Sequence, residues 1–162
     1  MLILGLDPGT TRIGYGLIKK EKDSLRFVKS GLLKIVSTNQ IGRLLDLEKS
    51  FSQLLKKEEV DLAVLEKLFF VKNRKTGLMV AEARGILTLL LAKHKIPLLE
   101  YTPLQIKSSV SGYGLADKQA MERAILRVLK IKRVEGVDDA VDALAAAVTG
   151  ATHLLKGRCG LL

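Results

Sequence analysis

The sequence has no tryptophan, and only 4% of its 162 residues are aromatic. No segment pairs a basic face with a strong aromatic-apolar one, which argues against a membrane-surface helix. No apolar run reaches the ~20 residues that span a bilayer. The chain opens directly on a strand pattern with no basic stretch before it, so no signal peptide is expected. The expectation is a soluble, cytoplasmic protein. The single cysteine, Cys159, rules out an internal disulfide and fits a reducing compartment. His94 and His153 are too few and too far apart in sequence for a zinc site. Three prolines and fourteen glycines carry no mark of a thermophile. There is no internal repeat, low-complexity tract or linker.

Acid is also scarce. Lys and Arg total 27 against 17 Asp and Glu, a formal charge of +10. That excess favours an anionic partner, nucleic acid above all. The placing of the few acids is therefore informative. Asp7 closes the apolar run Leu2-Ile3-Leu4-Gly5-Leu6, and Glu66 closes Leu62-Ala63-Val64-Leu65. Asp139 and Asp142 open a strongly helical segment. Carboxylates at the ends of buried strands are costly unless something positive meets them. Four hard oxygen donors would suit Mg²⁺. On a basic chain, that points to phosphodiester chemistry.

The expected fold is α/β: a mixed five-stranded sheet with helices on both faces. A single domain is expected over residues 1–156, with a loose tail at 157–162. Residues 1–7, 13–19 and 24–35 read as an antiparallel meander. Ser37 or Thr38 would cap a helix over 39–57 that turns Ile41, Leu44, Phe51, Leu54 and Leu55 to one face. Strands follow at 61–66 and 97–101, with a helix over 76–94 between them. That helix is apolar on more than one face and is the candidate dimer surface. Thr102-Pro103 starts a short helix. Residues 117–130 read as an amphipathic helix with Met121, Ala124, Ile125 and Val128 inward, and 138–153 as an Ala-rich helix able to pack closely on the sheet.

Four motifs then match a family in order and spacing. Leu4-Gly5-Leu6-Asp7-Pro8-Gly9-Thr10-Thr11-Arg12-Ile13-Gly14-Tyr15-Gly16 resembles the opening of the RuvC family of bacterial Holliday-junction resolvases. Glu66 to Asn73 resembles its second motif. Gly112-Tyr113-Gly114 to Asp117-Lys118 resembles its glycine-containing turn before a lysine, and Asp139-Ala140-Val141-Asp142-Ala143-Leu144-Ala145 its C-terminal motif. The resemblance implies a ribonuclease-H-like fold and a Mg²⁺-dependent homodimer. It also implies symmetric cutting of four-way junction DNA and cooperation with the RuvA–RuvB branch-migration complex. Asp7, Glu66, Asp139 and Asp142 fall on the family's catalytic acidic positions, with Asp138 an alternative register for the third. Lys107 and Lys118 fall on basic positions near the scissile strand, and Phe69 on an aromatic position at the junction centre.

The chemistry fits these residues. Two Mg²⁺ ions about 4 Å apart would activate a water and stabilise the leaving 3′ oxygen, giving 5′-phosphate and 3′-hydroxyl nicks. Mn²⁺ is the alternative ion. Asp7, at the rigid end of a central strand, is the expected bridging ligand, with Glu66 and the Asp139/Asp142 pair flanking it. Asp139 and Asp142 are three apart and share a helix face; alone, such a pair could be ordinary helix capping. Lys107 and Lys118 would hold phosphate charge. Phe69 lies in a basic loop with Lys72, Arg74 and Lys75, a setting for base stacking on DNA. Phe70 is assigned to the core, and Tyr113 is a further DNA-contact candidate. The rivals are a YqgF-type nuclease acting on RNA, a phosphotransferase of the actin and sugar-kinase type, and a junction binder without catalysis. The second needs two domains, and the third has no use for four acids that repel DNA.

Overall fold

The computed structural model describes residues 1–22, 24–67, 74–134 and 138–155. Phe69, Phe70 and Lys72 lie outside the described residues, as does the expected tail from residue 157. The first three strands are β1 (Leu2–Pro8), β2 (Ile13–Glu21) and β3 (Ser24–Leu32). They are followed by α1 (Gln40–Lys57), β4 (Leu62–Glu66), α2 (Arg74–Lys93) and β5 (Leu98–Tyr101). Three helices complete the chain: α3 (Pro103–Ser111), α4 (Lys118–Leu129) and α5 (Asp138–Leu155).

The five strands form one sheet in the order β3-β2-β1-β4-β5. β1 pairs antiparallel with β2 and parallel with β4, and β4 pairs parallel with β5. This mixed arrangement sets β1 and β4 side by side, so that the strand ends carrying Asp7 and Glu66 are neighbours. Alternation along the strands divides the core in two. Ile3, Ile18, Val64 and Leu99 meet α3, α4 and α5 on one face. Leu4, Leu6, Leu17, Ala63 and Leu65 meet α1 and α2 on the other.

Local chemistry sets several helix ends. Asn39, not Ser37 or Thr38, caps α1, its side chain accepting from the Gly42 amide at 2.7 Å. Thr102 and Gln105 form a reciprocal capping box on α3, with Pro103 in the first turn. The inward stripes shift from those expected. On α1 the buried residues are Leu47, Phe51, Leu54 and Leu55, while Ile41, in the first turn, is exposed. On α4, Leu129 is buried and Val128 exposed, because Leu129 continues the i, i+4 row of Met121 and Ile125 that faces the core.

The closest packing lies between α5 and the paired strands β1 and β2. A methyl group on Gly5 would fall on the Ala143 carbonyl oxygen, and one on Gly14 would fall on that of Asp139. A methyl on Gly16 would meet the side chain and amide of Leu144. The missing side chains let a helix backbone rest directly on the sheet, and Ala140, Ala143 and Ala147 complete that fit, all fully buried. Gly5→Ala is therefore expected to lower the unfolding free energy by about 1–3 kcal/mol in chemical denaturation. An unchanged midpoint would mean that α5 can lift off the sheet at no cost.

Candidate active site

Each acid reaches the site by a separate structural route. Asp7 follows the buried Leu6 and, by strand alternation, projects to the α5 face with Gly5 and Ile3. Glu66 does the same at the end of β4, after Leu65 on the opposite face. Asp139 and Asp142 sit in the first turns of α5, where the helix dipole favours negative charge. The Asp139 carbonyl rests against Gly14, and Gly14 is the register partner of Asp7 on β2. Glycine packing thus brings the start of α5 onto the end of β1.

The proton affinities report the convergence. Burial pushes the Asp7 carboxyl up to about 7, reinforced by the charges of Asp142, Glu66 and Asp139 and opposed by Lys118. Glu66 is raised by burial and then by Asp142, with Lys107 opposing. Asp142 is also raised, first by burial; Lys118 and Lys107 pull it down, while Asp138 and Asp139 push it up. Four carboxylates from β1, β4 and α5, with two lysines, therefore occupy one electrostatic neighbourhood. Among the described residues, no three Asp, Glu, His or Cys side chains form a ready metal cage.

Arg12, assigned no role from sequence, and Asp138, the alternative register for the third acid, also lie here. Arg12 Nε stands 3.2 Å from Asp139 Oδ2. That oxygen is nonetheless buried without a hydrogen-bond partner, because the guanidinium approaches off its N–H axis. A buried, unsatisfied carboxylate oxygen beside three other acids is a place where a cation fits. Asp138 is at the surface and accepts a hydrogen bond from Lys118 Nζ at 3.0 Å, which raises the Lys118 pKa. Asp139, not Asp138, acts on Asp7. Arg12 was legible only as part of the first motif; nothing in its spacing marks it as an ion-pair partner.

The remaining candidates are placed as follows. Lys107, half-buried on α3, is close enough to act on Glu66 and Asp142. Lys118 begins α4 behind the Asp117 cap. Tyr113 is exposed in the turn after Gly112, whose φ of 79° is left-handed. Arg74 and Lys75 begin α2.

The model of the crossover junction endodeoxyribonuclease RuvC matches residues 3–150. The chain belongs to the RuvC family. RuvC of Petrotoga mobilis is 40% identical over 148 residues, covering 91% of both chains. RuvC of Clostridioides difficile is 40% identical over 149 residues, 91% of this chain and 88% of that one. Among solved structures, Thermus thermophilus RuvC in complex with Holliday junction substrate superposes with a TM-score of 0.92 at 23% identity, covering 100% of this chain and 99% of that one. The yeast mitochondrial Holliday junction resolvase Ydc2 gives 0.72 at 17% identity, covering 96% and 81%. The fold is thus the ribonuclease-H-like fold of RuvC. RuvC-family proteins are nucleases, and metal-dependent ones. The actin-type and YqgF-type readings of the first motif give way to this family. Among the described residues no helix is long and apolar enough to cross a membrane.

The raised pKa values have a consequence for stability. Unfolded, Asp7 ionises near its ordinary value of 3.8; folded, it ionises near 7. Between those values the folded chain holds more protons than the unfolded one, so stability falls as pH rises through the window. For Asp7 the loss is on the order of 4 kcal/mol in the absence of metal. Glu66 and Asp142 add to it with the same sign. Chemical denaturation in chelator is expected to show declining stability from pH 4 to 8, with a shallower decline in Asp7→Asn. Stability that rises across that range would contradict the cluster.

Proposed function

We propose that this protein resolves Holliday junctions, cutting two opposed strands by metal-assisted hydrolysis at the Asp7, Glu66, Asp139 and Asp142 site. The observation that carries this reading is the gathering of four acids from three distant segments, with the proton affinities of Asp7, Glu66 and Asp142 raised by burial and by neighbouring carboxylates. Such a cluster is stable at neutral pH only if protons or cations balance it. Hard carboxylate oxygens and no nearby sulfur or imidazole ligand among the described residues favour Mg²⁺, with Mn²⁺ as a substitute. Bound there, two such ions would supply an activated water and charge neutralisation at the phosphate.

The chain's own residues carry the rest. Asp7 ends the central strand, with Glu66 on the neighbouring β4 and the α5 pair on the other side, and would be the ligand shared between the ions. Lys107 and Lys118 offset the acids from the α3 and α4 side, where they can receive the scissile phosphate. Lys118 would exchange its exposed Asp138 partner for phosphate at small cost. Phe69, Lys72, Arg74, Lys75 and Tyr113 would contact the junction beyond the site, Phe69 by stacking on bases.

A four-way junction has near two-fold symmetry, which a dimer with two identical sites matches. The outer face of α2 suits that contact: Ala81, Gly85, Thr88, Leu89 and Ala92 line an open groove, and Leu78 and Leu89 are more than half exposed. Cooperation with RuvA–RuvB in the cytoplasm belongs to the same reading.

With Mg²⁺, the protein is expected to make paired, symmetric nicks in a mobile four-way junction. Asp7→Asn should lower the rate by at least about 10²–10³-fold while junction binding in gel shift persists. Binding without cleavage by the unaltered protein in either Mg²⁺ or Mn²⁺ would reduce it to a junction-recognition protein. In sedimentation at micromolar concentration a dimer is expected, converted to monomer by Leu89→Lys. A monodisperse monomer of the unaltered chain would refute the symmetric mechanism.

A further inference from the structure

On the side of the sheet opposite the acidic cluster, one ion pair is largely enclosed, its arginine reaching the surface at the α2 groove. Arg84 of α2 and Glu100 of β5 form an ion pair through Nη2 and Oε1, their side chains only 17% and 19% exposed. The other arm of the guanidinium, Nη1, donates to the backbone carbonyl of Glu66 at 2.5 Å. Burial holds the Arg84 pKa below its ordinary value, so the charge is retained against a desolvation cost that these partners must offset.

The Glu66 carbonyl needs this donor for a reason set in the sequence. Met1 and Lys20 exchange backbone hydrogen bonds on the β2 side of β1. The odd-numbered backbone groups of β1 therefore face β2, and the even-numbered ones face β4. The parallel pairing runs from Ile3 with Leu62 to Leu6 with Leu65. Continued by one step, it sets the nitrogen of residue 8 against the Glu66 carbonyl. Residue 8 is proline, with no N–H to give. The ladder thus ends one bond short at the residue whose side chain enters the acidic site, and Asp142 repels that side chain from the α5 side.

We propose that Arg84 is a positioning residue for Glu66: paired with Glu100, it ties down the end of β4 from behind and fixes the backbone from which the Glu66 carboxylate reaches the metal site. The planar fork of arginine meets two acceptors at once, as a lysine ammonium does not. The arrangement couples α2, the candidate dimer helix, to the acidic site through one side chain.

The inference rests on the reading of the acidic cluster as a metal site, and the test separates the two. In the full-length protein, two quantities are followed against Mg²⁺ concentration: the rise in unfolding midpoint without DNA, and junction cleavage. Junction binding is measured in chelator. Arg84→Met is expected to raise the Mg²⁺ requirement in both titrations by about tenfold or more, with junction binding unchanged. Arg84→Lys and Glu100→Gln should fall between, and carry the comparison if Arg84→Met does not fold. In a Glu66→Gln background, Arg84→Met should add little to the midpoint shift, because both changes act on one ligand. If the unaltered protein responds to Mg²⁺ and the Arg84 variants respond identically, or if their effect adds in full to that of Glu66→Gln, Arg84 is not a positioning residue. If the unaltered protein shows no Mg²⁺ response by either measure, the metal-site reading itself fails and the inference falls with it.

Discussion

The contact on which the rest of the structure depends is that of the α5 backbone with Gly5, Gly14 and Gly16. Side chains ordinarily keep a helix backbone away from a sheet; here three absent side chains allow backbone to touch backbone. The closeness has an energetic role, since α5 is nearly all buried along its inner length. It also has a chemical one. Asp139 and Asp142 have short side chains, and only a helix seated this low can bring them to a strand end.

A second constraint follows from the first. Bringing acids together at the edge of a core raises the proton affinities of Asp7, Glu66 and Asp142 and leaves Asp139 Oδ2 buried without a hydrogen bond. The protein carries charges on all sides to answer this: Arg12 at Asp139, Lys107 near Glu66 and Asp142, Lys118 at Asp138. None neutralises the centre. The lysines lie toward the surface, the acids inward.

Much of this was legible beforehand, because it depends on short-range pattern. The meander, the mixed sheet, the Ala-rich last helix and the helix start at Thr102-Pro103 follow from alternation, turn residues and caps. The four acids stood out because apolar runs ended on them. Less visible were features that depend on where a helix begins relative to the sheet: Asn39 as the α1 cap, Ile41 outside the core, and Leu129 in place of Val128. Periodicity gives a helix its faces but not its rotation, and packing fixes that rotation to within one residue.

The sequence by itself determined the family, the order of the elements and the acids at their ends, since these are written in local runs and in motifs that keep their spacing. Only the tertiary structure decided which groups meet. Arg12 beside Asp139, Lys118 on Asp138 and Arg84 on the Glu66 carbonyl join residues 127, 20 and 18 positions apart. No local pattern encodes such pairings, because they exist only when separate elements dock, and docking is set by the shapes of the two faces of the sheet.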